Sequence, residues 1–241
     1  MLEAIFFDID DTLFSTSAFA ARARENSIDA MIEAGVRTPR EELLRELREV
    51  IAEFTSNYEH HFERLLARLP AEDLAGLNHA LIVAAAVVAY HETKFRELSA
   101  HDDVTEVLQI LARRGYKLGI ISSGLTLKQM EKLIRLRVLP CIDSQAILIS
   151  EEAGINKPNP KLFLRACERA GVSPERCMYV GDHPVNDVDA AKAAGMHTVW
   201  NRRDGRHQDC RGRTVPDDVV HNFWDLLAVV ERVEASGASP A

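Results

Sequence analysis

Short apolar runs alternate with helical segments over most of this 241-residue chain, and this alternation limits the folds open to it. Each run is bounded by polar residues or glycine, which is typical of buried strands. The predicted strands cover residues 3–8, 117–122, 146–149, 178–181, 197–200 and 218–221. The predicted helices between them cover residues 104–114, 126–136, 160–170 and 186–194. This order predicts an α/β fold with a parallel sheet covered on both faces.

Residues 15–99 interrupt the alternation, because they show helical periodicity and no convincing strand. The sequence therefore predicts a core made of residues 1–14 and 100–241, with an all-helical insertion at residues 15–99. Inside the insertion, Thr38 and Glu41 have the spacing of a capping box, with Pro39 at the first helical position. This pattern predicts that a helix begins there.

Composition excludes several classes of protein. Acidic residues outnumber basic ones by 37 to 29, and the net charge of −8 disfavours binding to nucleic acid or anionic lipid. The longest apolar stretch, residues 80–90, is shorter than the roughly 20 residues of a membrane helix. It predicts a buried helix that packs within the insertion or against a second copy of the chain, as in a homodimer.

The N-terminus and the cysteines indicate the compartment. Glu3 stands where a signal peptide would carry basic residues, and the four cysteines include no CxxC pair. We therefore expect a cytoplasmic protein with free thiols.

Chemically active side chains are predicted where strands end. Asp8, Asp10 and Asp11 crowd the turn after the first strand, Ser122 closes the second, and Asp182 follows the fourth. Because parallel strands present their carboxyl ends at one edge of the sheet, we expect Asp8, Ser122 and Asp182 to converge.

Each of these motifs has an ordinary explanation when taken alone. An isolated DxDD turn is more often a solvated loop or a helix cap, and the Ser-Ser-Gly sequence at 122–124 is a common turn. A lone lysine such as Lys157 is usually solvated. A helix cap explains Asp187 but not Asp182, so it is the combination of motifs that indicates a site.

Together, and in this order, the motifs resemble the signature of the haloacid dehalogenase superfamily, in particular its subfamily I phosphatases. The matching positions are Asp8, Asp10 and Thr12 (DxDxT), Ser122, Lys157, and then Gly181, Asp182, Asn186 and Asp187 (GDxxxND). The resemblance covers nearly the whole chain and implies a Rossmann-like core with an inserted helical cap of type one. The chain departs from the pattern at Asp11, where the first motif frequently has glycine, and at Ser122, where threonine is usual.

The resemblance implies that the chain hydrolyses a phosphate monoester through an aspartyl-phosphate. Asp8 would be the nucleophile, and Asp10 the general acid and base. Mg²⁺ would be held by the Asp8 and Asp182 carboxylates and the Asp10 backbone carbonyl, with Asp187 orienting a metal-bound water. The phosphate oxygens would be bound by Ser122, Lys157 and the N–H groups of Ser123 and Gly124.

The substrate is expected to be a small phosphorylated metabolite. Residues 89–95 and 149–154, with the length of the cap, are most similar to archaeal-type subfamily I phosphatases, some of which are labelled glyceraldehyde 3-phosphate phosphatase. The run at 150–158 is also similar to that of nucleotide 5′-monophosphatases. A non-catalytic phosphate-binding protein of the same fold is a third alternative, which replacement of Asp8 or Asp10 would favour, and neither is replaced.

Four further residues are candidates for contact with the substrate, the first three of them with its leaving group. Thr16, Phe19 and Arg22 follow the first motif into the insertion, and His183 follows Asp182 directly. An arginine on an amphipathic helix is more often solvated, so Arg22 is the weakest of these candidates.

Overall fold

The chain forms two units in the computed structural model, which describes residues 1–55, 58–203 and 207–237. One unit consists of Met1–Ser17 and Ser99–Ala241, and the other of Ala18–Leu98. The parts of the predicted core and insertion at 56–57, 204–206 and 238–241 lie outside the described residues.

A parallel sheet forms the centre of the first unit. Within the described residues, its six strands are β1 Ala4–Phe7, β2 Lys117–Ser122, β3 Ile147–Ile149, β4 Cys177–Gly181, β5 His197–Asn201 and β6 Asp218–Val220. They lie in the order β3-β2-β1-β4-β5-β6, and every neighbouring pair is parallel. The predicted α/β fold is confirmed, with each strand end within about one residue of its expected position.

Helices cover the sheet and make up the second unit. The α-helices are α1 Thr16–Glu33, α2 Arg40–Phe54, α3 His61–Leu66, α4 His79–Glu97, α5 Asp102–Arg113, α6 Thr126–Arg135, α7 Ser150–Ala153, α8 Pro160–Ala170, α9 Ala190–Ala193 and α10 Phe223–Gly237. Single 3₁₀ turns lie at Ala71–Leu74, Leu139–Cys141, Ser144–Ala146 and Pro174–Arg176. All four residues of β1 are fully buried, as expected for a central strand covered on both faces.

The helix predicted over 186–194 begins differently from the expectation. Pro184–Asp189 form a wide π-type turn, and regular α-helix follows only in α9. The His183 side chain accepts hydrogen bonds at Nδ1 from the N–H groups of Val185 and Asn186, at 3.2 and 3.3 Å. The Asp187 carboxylate folds back to accept the His183 N–H at 3.0 Å. These bonds between side chains and backbone N–H groups occupy the first turn of the helix and favour a π-type turn over a regular α-helical one.

Helix α2 begins near the expected residue, but the predicted capping box is wrong. Within the part of the chain that the structure describes, no side chain caps the start of α2, and the Thr38 hydroxyl instead donates to Asp73 at 2.5 Å. The N–H groups of Glu42 and Leu43 donate to the Pro39 carbonyl. Thr38 is therefore used in a bond to the Ala71–Leu74 turn rather than in the cap.

The apolar stretch at 80–90 lies in α4, as the sequence predicts, but this helix is not buried all round. Ile82 and Ala86 belong to the core of the second unit, whereas Leu81 and Val88 are 63% and 56% exposed. Among the helices in the described ranges, none combines the length and the apolar character needed to cross a membrane.

Candidate active site

The ends of the two central strands bring Asp8 and Asp182 together. β1 lies between β2 and β4, and Phe7 is in register with Ile120 and Val180. The Asp8 N–H donates to the Val180 carbonyl at 2.9 Å, which fixes the chain where it leaves the sheet. Carboxylate oxygens of Asp8, Asp182 and Asp187 lie within 4.8 Å of one another, and all three residues are buried.

Lys157 connects two of these carboxylates. Its Nζ donates to Oδ1 of Asp8 at 2.7 Å, to Oδ1 of Asp187 at 2.7 Å and to the Tyr179 hydroxyl oxygen at 2.6 Å. The side chain of Lys157 is 4% exposed. Burial lowers the pKa of Lys157, but the charges of Asp187 and Asp8 outweigh burial and raise it above its ordinary value.

The position of Lys157 depends on the start of α8. Asn159 caps this helix by accepting the Lys161 N–H at 3.0 Å, and Pro160 fills the first helical position. The sequence predicts a helix from residue 160, and the observed start holds the segment before α8 beside the end of β1.

Glycine is required at 181 because the Asp187 side chain lies directly over its α-carbon. A Cβ at this position would come within 2.5 Å of both Cγ and Oδ2 of Asp187. The last residue of β4 therefore leaves the space in which the Asp187 carboxylate joins the cluster.

The cluster fits a divalent cation bound by oxygen ligands. Burial, together with the charges of Asp187 and Asp8, raises the pKa of Asp182 to about 9, and burial raises the pKa of Asp8 to about 6 although Lys157 lowers it. Within the described residues, no hydrogen bond ends on the Asp182 carboxylate. Adjacent buried carboxylates with too few donors are the ligand set that a hard cation such as Mg²⁺ stabilises.

The Asp10 side chain faces a different set of partners. Its oxygens accept from Lys132 at 2.6 and 2.7 Å, from Gln129 at 3.0 Å and from the Thr16 hydroxyl at 2.8 Å. Burial alone would raise the pKa of Asp10, but the Lys132 charge and these hydrogen bonds outweigh burial and lower it. The expected use of the Asp10 backbone carbonyl as a metal ligand stays a prediction.

The turn after β2 has the expected residues, but not all of its groups are equally accessible. The Ser122 hydroxyl is buried and lies 3.4 Å from Nε2 of Gln129. The Ser123 hydroxyl donates to Asn156 at 2.6 Å. The Gly124 N–H donates to the Ser150 hydroxyl at 3.0 Å, so binding of a phosphate oxygen there requires this bond to be exchanged.

The departure at Asp11 has a structural explanation. Asp11 has a φ of +54°, in the left-handed region that favours glycine and that aspartate tolerates better than most other residues. Its carboxylate accepts the Ser17 N–H at 3.2 Å in the first turn of α1, so the aspartate also stabilises the start of this helix. Within the described residues, the buried Thr12 hydroxyl has no hydrogen-bond partner.

Sequence reasoning missed three residues of this site: Tyr179, Gln129 and Lys132. The Tyr179 hydroxyl is fully buried, within 2.9 Å of the Ile121 carbonyl and 3.1 Å of the Asp187 carboxylate. A tyrosine in a predicted buried strand was a usable signal, because its hydroxyl needs a polar partner there. Gln129 and Lys132 carry no motif, and only the burial of Gln129 on α6 distinguishes it.

The candidates for substrate and leaving-group contact have partners of their own. The Thr16 hydroxyl is bonded to Asp10, and His183 Nδ1 caps the π-type turn, which places the proton of a neutral His183 ring on Nε2. Within the second unit, Phe19 packs edge-on against Tyr90, and Arg22 pairs with Glu97 at 3.1 Å. Their contacts with a leaving group stay predictions.

The chain is similar in sequence to proteins of known family. The family model for haloacid dehalogenase-like hydrolases matches residues 2–195. A glyceraldehyde 3-phosphate phosphatase of Methanopyrus kandleri is 47% identical over 238 residues, which cover 97% of this chain and 99% of that protein. The protein of the same name from Pyrococcus furiosus is 38% identical over 237 residues, with 98% and 95% covered.

The fold is also similar to that of solved structures. A haloacid dehalogenase-type phosphatase from Thermococcus onnurineus superimposes with a TM-score of 0.65 at 25% identity, covering 95% of this chain and 98% of that protein. The likeness extends over both units of the chain.

Proposed function

This chain belongs to the haloacid dehalogenase-like hydrolases, and from that premise we propose that it is a Mg²⁺-dependent phosphatase working through an aspartyl-phosphate on Asp8. Its relatives support the phosphatase class over nearly their whole length. The observation that carries the proposal is the buried pairing of Asp8 with Lys157 inside a cluster of three carboxylates.

The first half of the reaction uses the chain's own charges. An oxygen of Asp8 attacks the phosphorus, and the bond between phosphorus and the leaving oxygen breaks. Lys157, bonded to Asp8 Oδ1, brings positive charge to the phosphoryl group, and Ser122 and the Ser123 N–H bind phosphoryl oxygens. Asp10, after taking up a proton, protonates the leaving alcohol.

The second half regenerates the enzyme. A water oxygen attacks the phosphorus of the aspartyl-phosphate, one water proton passes to Asp10, and the bond between phosphorus and Asp8 breaks to release inorganic phosphate. Mg²⁺, which the Asp8 and Asp182 carboxylates and the Asp10 backbone carbonyl would hold, with Asp187 orienting a metal-bound water, would neutralise phosphate charge.

Metal binding has a test that does not depend on turnover. We expect Mg²⁺ added to metal-stripped protein to raise the melting temperature in a saturable way, because the ion binds only the folded cluster. Asp182→Asn should reduce this shift, whereas Asp225→Asn, a change in α10, should leave it unchanged. An equal shift in both variants would show that the ion binds elsewhere.

The substrate that we propose is glyceraldehyde 3-phosphate, the compound named in the two archaeal relatives. The test is a comparison of kcat/KM for glyceraldehyde 3-phosphate, a nucleoside 5′-monophosphate and an aryl phosphate at equal Mg²⁺. We expect the highest kcat/KM with the triose phosphate. The highest kcat/KM with the nucleotide would instead support a nucleotide 5′-monophosphatase. Absence of phosphate release from all three would reject the phosphatase itself.

Three wider expectations belong to the same proposal. The Ala18–Leu98 unit would be the cap that selects the leaving group. The four cysteines are free thiols, which suits the cytoplasm. The expected homodimer stays a prediction, which sedimentation equilibrium tests.

A further inference from the structure

The carboxylate of Asp10 is held by three side chains, none of which belongs to the four motifs. Lys132 Nζ donates to both oxygens of Asp10, and Gln129 Nε2 and the Thr16 hydroxyl donate to one oxygen each. Donors on both oxygens restrict rotation of the carboxylate about its terminal bond. The orientation of Asp10 is therefore set from α6 and from the start of α1.

Helix α6 also connects Asp10 to the turn after β2. Gln129 and Lys132 are three residues apart, so they lie on the same face of the helix. Gln129 is 3% exposed, and its Nε2 donates to the Ser123 carbonyl at 2.6 Å as well as to Asp10. One helix face thus fixes the distance between Asp10 and the residues expected to bind the phosphoryl oxygens.

The contacts of Lys132 point to Asp10 as its main partner. Its side chain is 20% exposed, and its ammonium lies 5.9 Å from the centre of the Phe14 ring. The two hydrogen bonds to Asp10 are as short as those that Lys157 makes in the cluster. Lys132 is therefore packed as a fixed charge rather than as a solvated one.

We propose that Lys132 is a positioning residue, which holds Asp10 in the orientation needed to activate water against the aspartyl-phosphate. This inference rests on the proposed function, in which Asp10 accepts a proton as the water oxygen bonds to phosphorus and the Asp8–phosphorus bond breaks. The first half of the reaction with an aryl phosphate has little need of Asp10, because the leaving group is good. Loss of Lys132 should therefore slow the second half selectively.

The experiment measures both halves separately in Lys132→Met, using an aryl phosphate and rapid acid quenching. A carboxylate displaced by about 1 Å can cost about a hundredfold in rate, so we expect kcat to fall by about that factor. The burst of aryl alcohol should change by less than about threefold, so that phosphoenzyme accumulates. Lys132→Arg should restore most of the lost rate, and Lys128→Met on the same helix should behave as wild type.

A double variant distinguishes action through Asp10 from other roles. In the Asp10→Asn background, Lys132→Met should have no further effect on phosphoenzyme hydrolysis, because the group it positions is gone. Additive losses, or a burst and kcat that fall together in Lys132→Met, would overturn the inference. Melting temperatures establish that each variant is folded, and Lys132→Gln, which keeps a donor without the charge, replaces Lys132→Met if that variant does not fold. If wild type itself forms no phosphoenzyme, the proposed function fails instead.

Discussion

Replacing Gly181 by alanine should displace the Asp187 carboxylate. We expect a large loss of phosphate release and only a moderate loss of stability. The new Cβ would lie 2.5 Å from Asp187, whereas ordinary contact begins near 3.4 Å. The difference of about 0.9 Å must be absorbed by movement of Asp187, because Gly181 is fixed in the buried strand β4.

The displacement reaches the catalytic charges directly. Asp187 Oδ1 accepts from Lys157 at 2.7 Å, and Oδ2 accepts from the His183 N–H at 3.0 Å. A shift of this size lengthens one or both bonds and moves Lys157 relative to Asp8. We expect kcat on an aryl phosphate to fall by about a hundredfold. Overpacking should cost about 1–3 kcal/mol, or roughly 2–4 °C in Tm for each kcal/mol.

The matched control is Gly171→Ala at the end of α8. Gly171 has a φ of +69°, and among the described residues no atom beyond its chain neighbours lies within 4 Å of the position of its missing Cβ. Backbone strain should cost about 1 kcal/mol there, with kcat unchanged. If Gly181→Ala kept more than about half of the wild-type kcat, the close approach would not set the position of Asp187. If Gly171→Ala lost as much activity, the effect would be one of stability.

Three shorter predictions concern other contacts. Asp8→Asn should abolish phosphate release while circular dichroism stays unchanged, and retention of more than about a hundredth of kcat would contradict the nucleophile assignment. Burial would raise the pKa of Asp217, but hydrogen bonds from Lys192 and Thr198 outweigh burial and lower it to about 2. The ionised Asp217 therefore stabilises the folded protein fully above its ordinary pKa of 3.8, and this stabilisation is lost as the pH falls toward about 2. The difference in the free energy of unfolding between wild type and Asp217→Asn, measured with urea, should therefore become smaller as the pH is lowered from 5 to 3. A difference that does not change with pH would show that the charge of Asp217 is not its cause. Thr38→Ala and Asp73→Ala should each destabilise the protein by about 1–3 kcal/mol with a non-additive double variant, whereas a true capping role would leave Asp73→Ala harmless.

Local sequence signals located the strands and the motif residues because both depend on short-range patterns. The apolar runs end where the buried strands end, and the helical pattern over 160–170 predicts α8 with its observed bounds. The convergence of Asp8 and Asp182 followed from the geometry of any parallel sheet.

Features that depend on tertiary partners could not be predicted in the same way. Thr38 has the spacing of a cap, but a partly buried bond to Asp73 competes for its hydroxyl. The wide turn at Pro184–Asp189 depends on His183 and Asp187 bonding back to the backbone. Gln129 and Lys132 are ordinary helix residues in sequence, and only the packing of α6 brings them to Asp10.

The most direct test of the account is to locate the phosphoryl group on the protein. Asp10→Asn should still be phosphorylated by an aryl phosphate with a good leaving group, but it should hydrolyse the phosphoenzyme slowly. After acid quenching and proteolysis, mass spectrometry should find one phosphoryl group on the peptide that contains Asp8, and none in the Asp8→Asn/Asp10→Asn double variant. Phosphate release by wild type with no phosphorylated peptide in Asp10→Asn, or with the phosphoryl group on another residue, would contradict nucleophilic attack by Asp8.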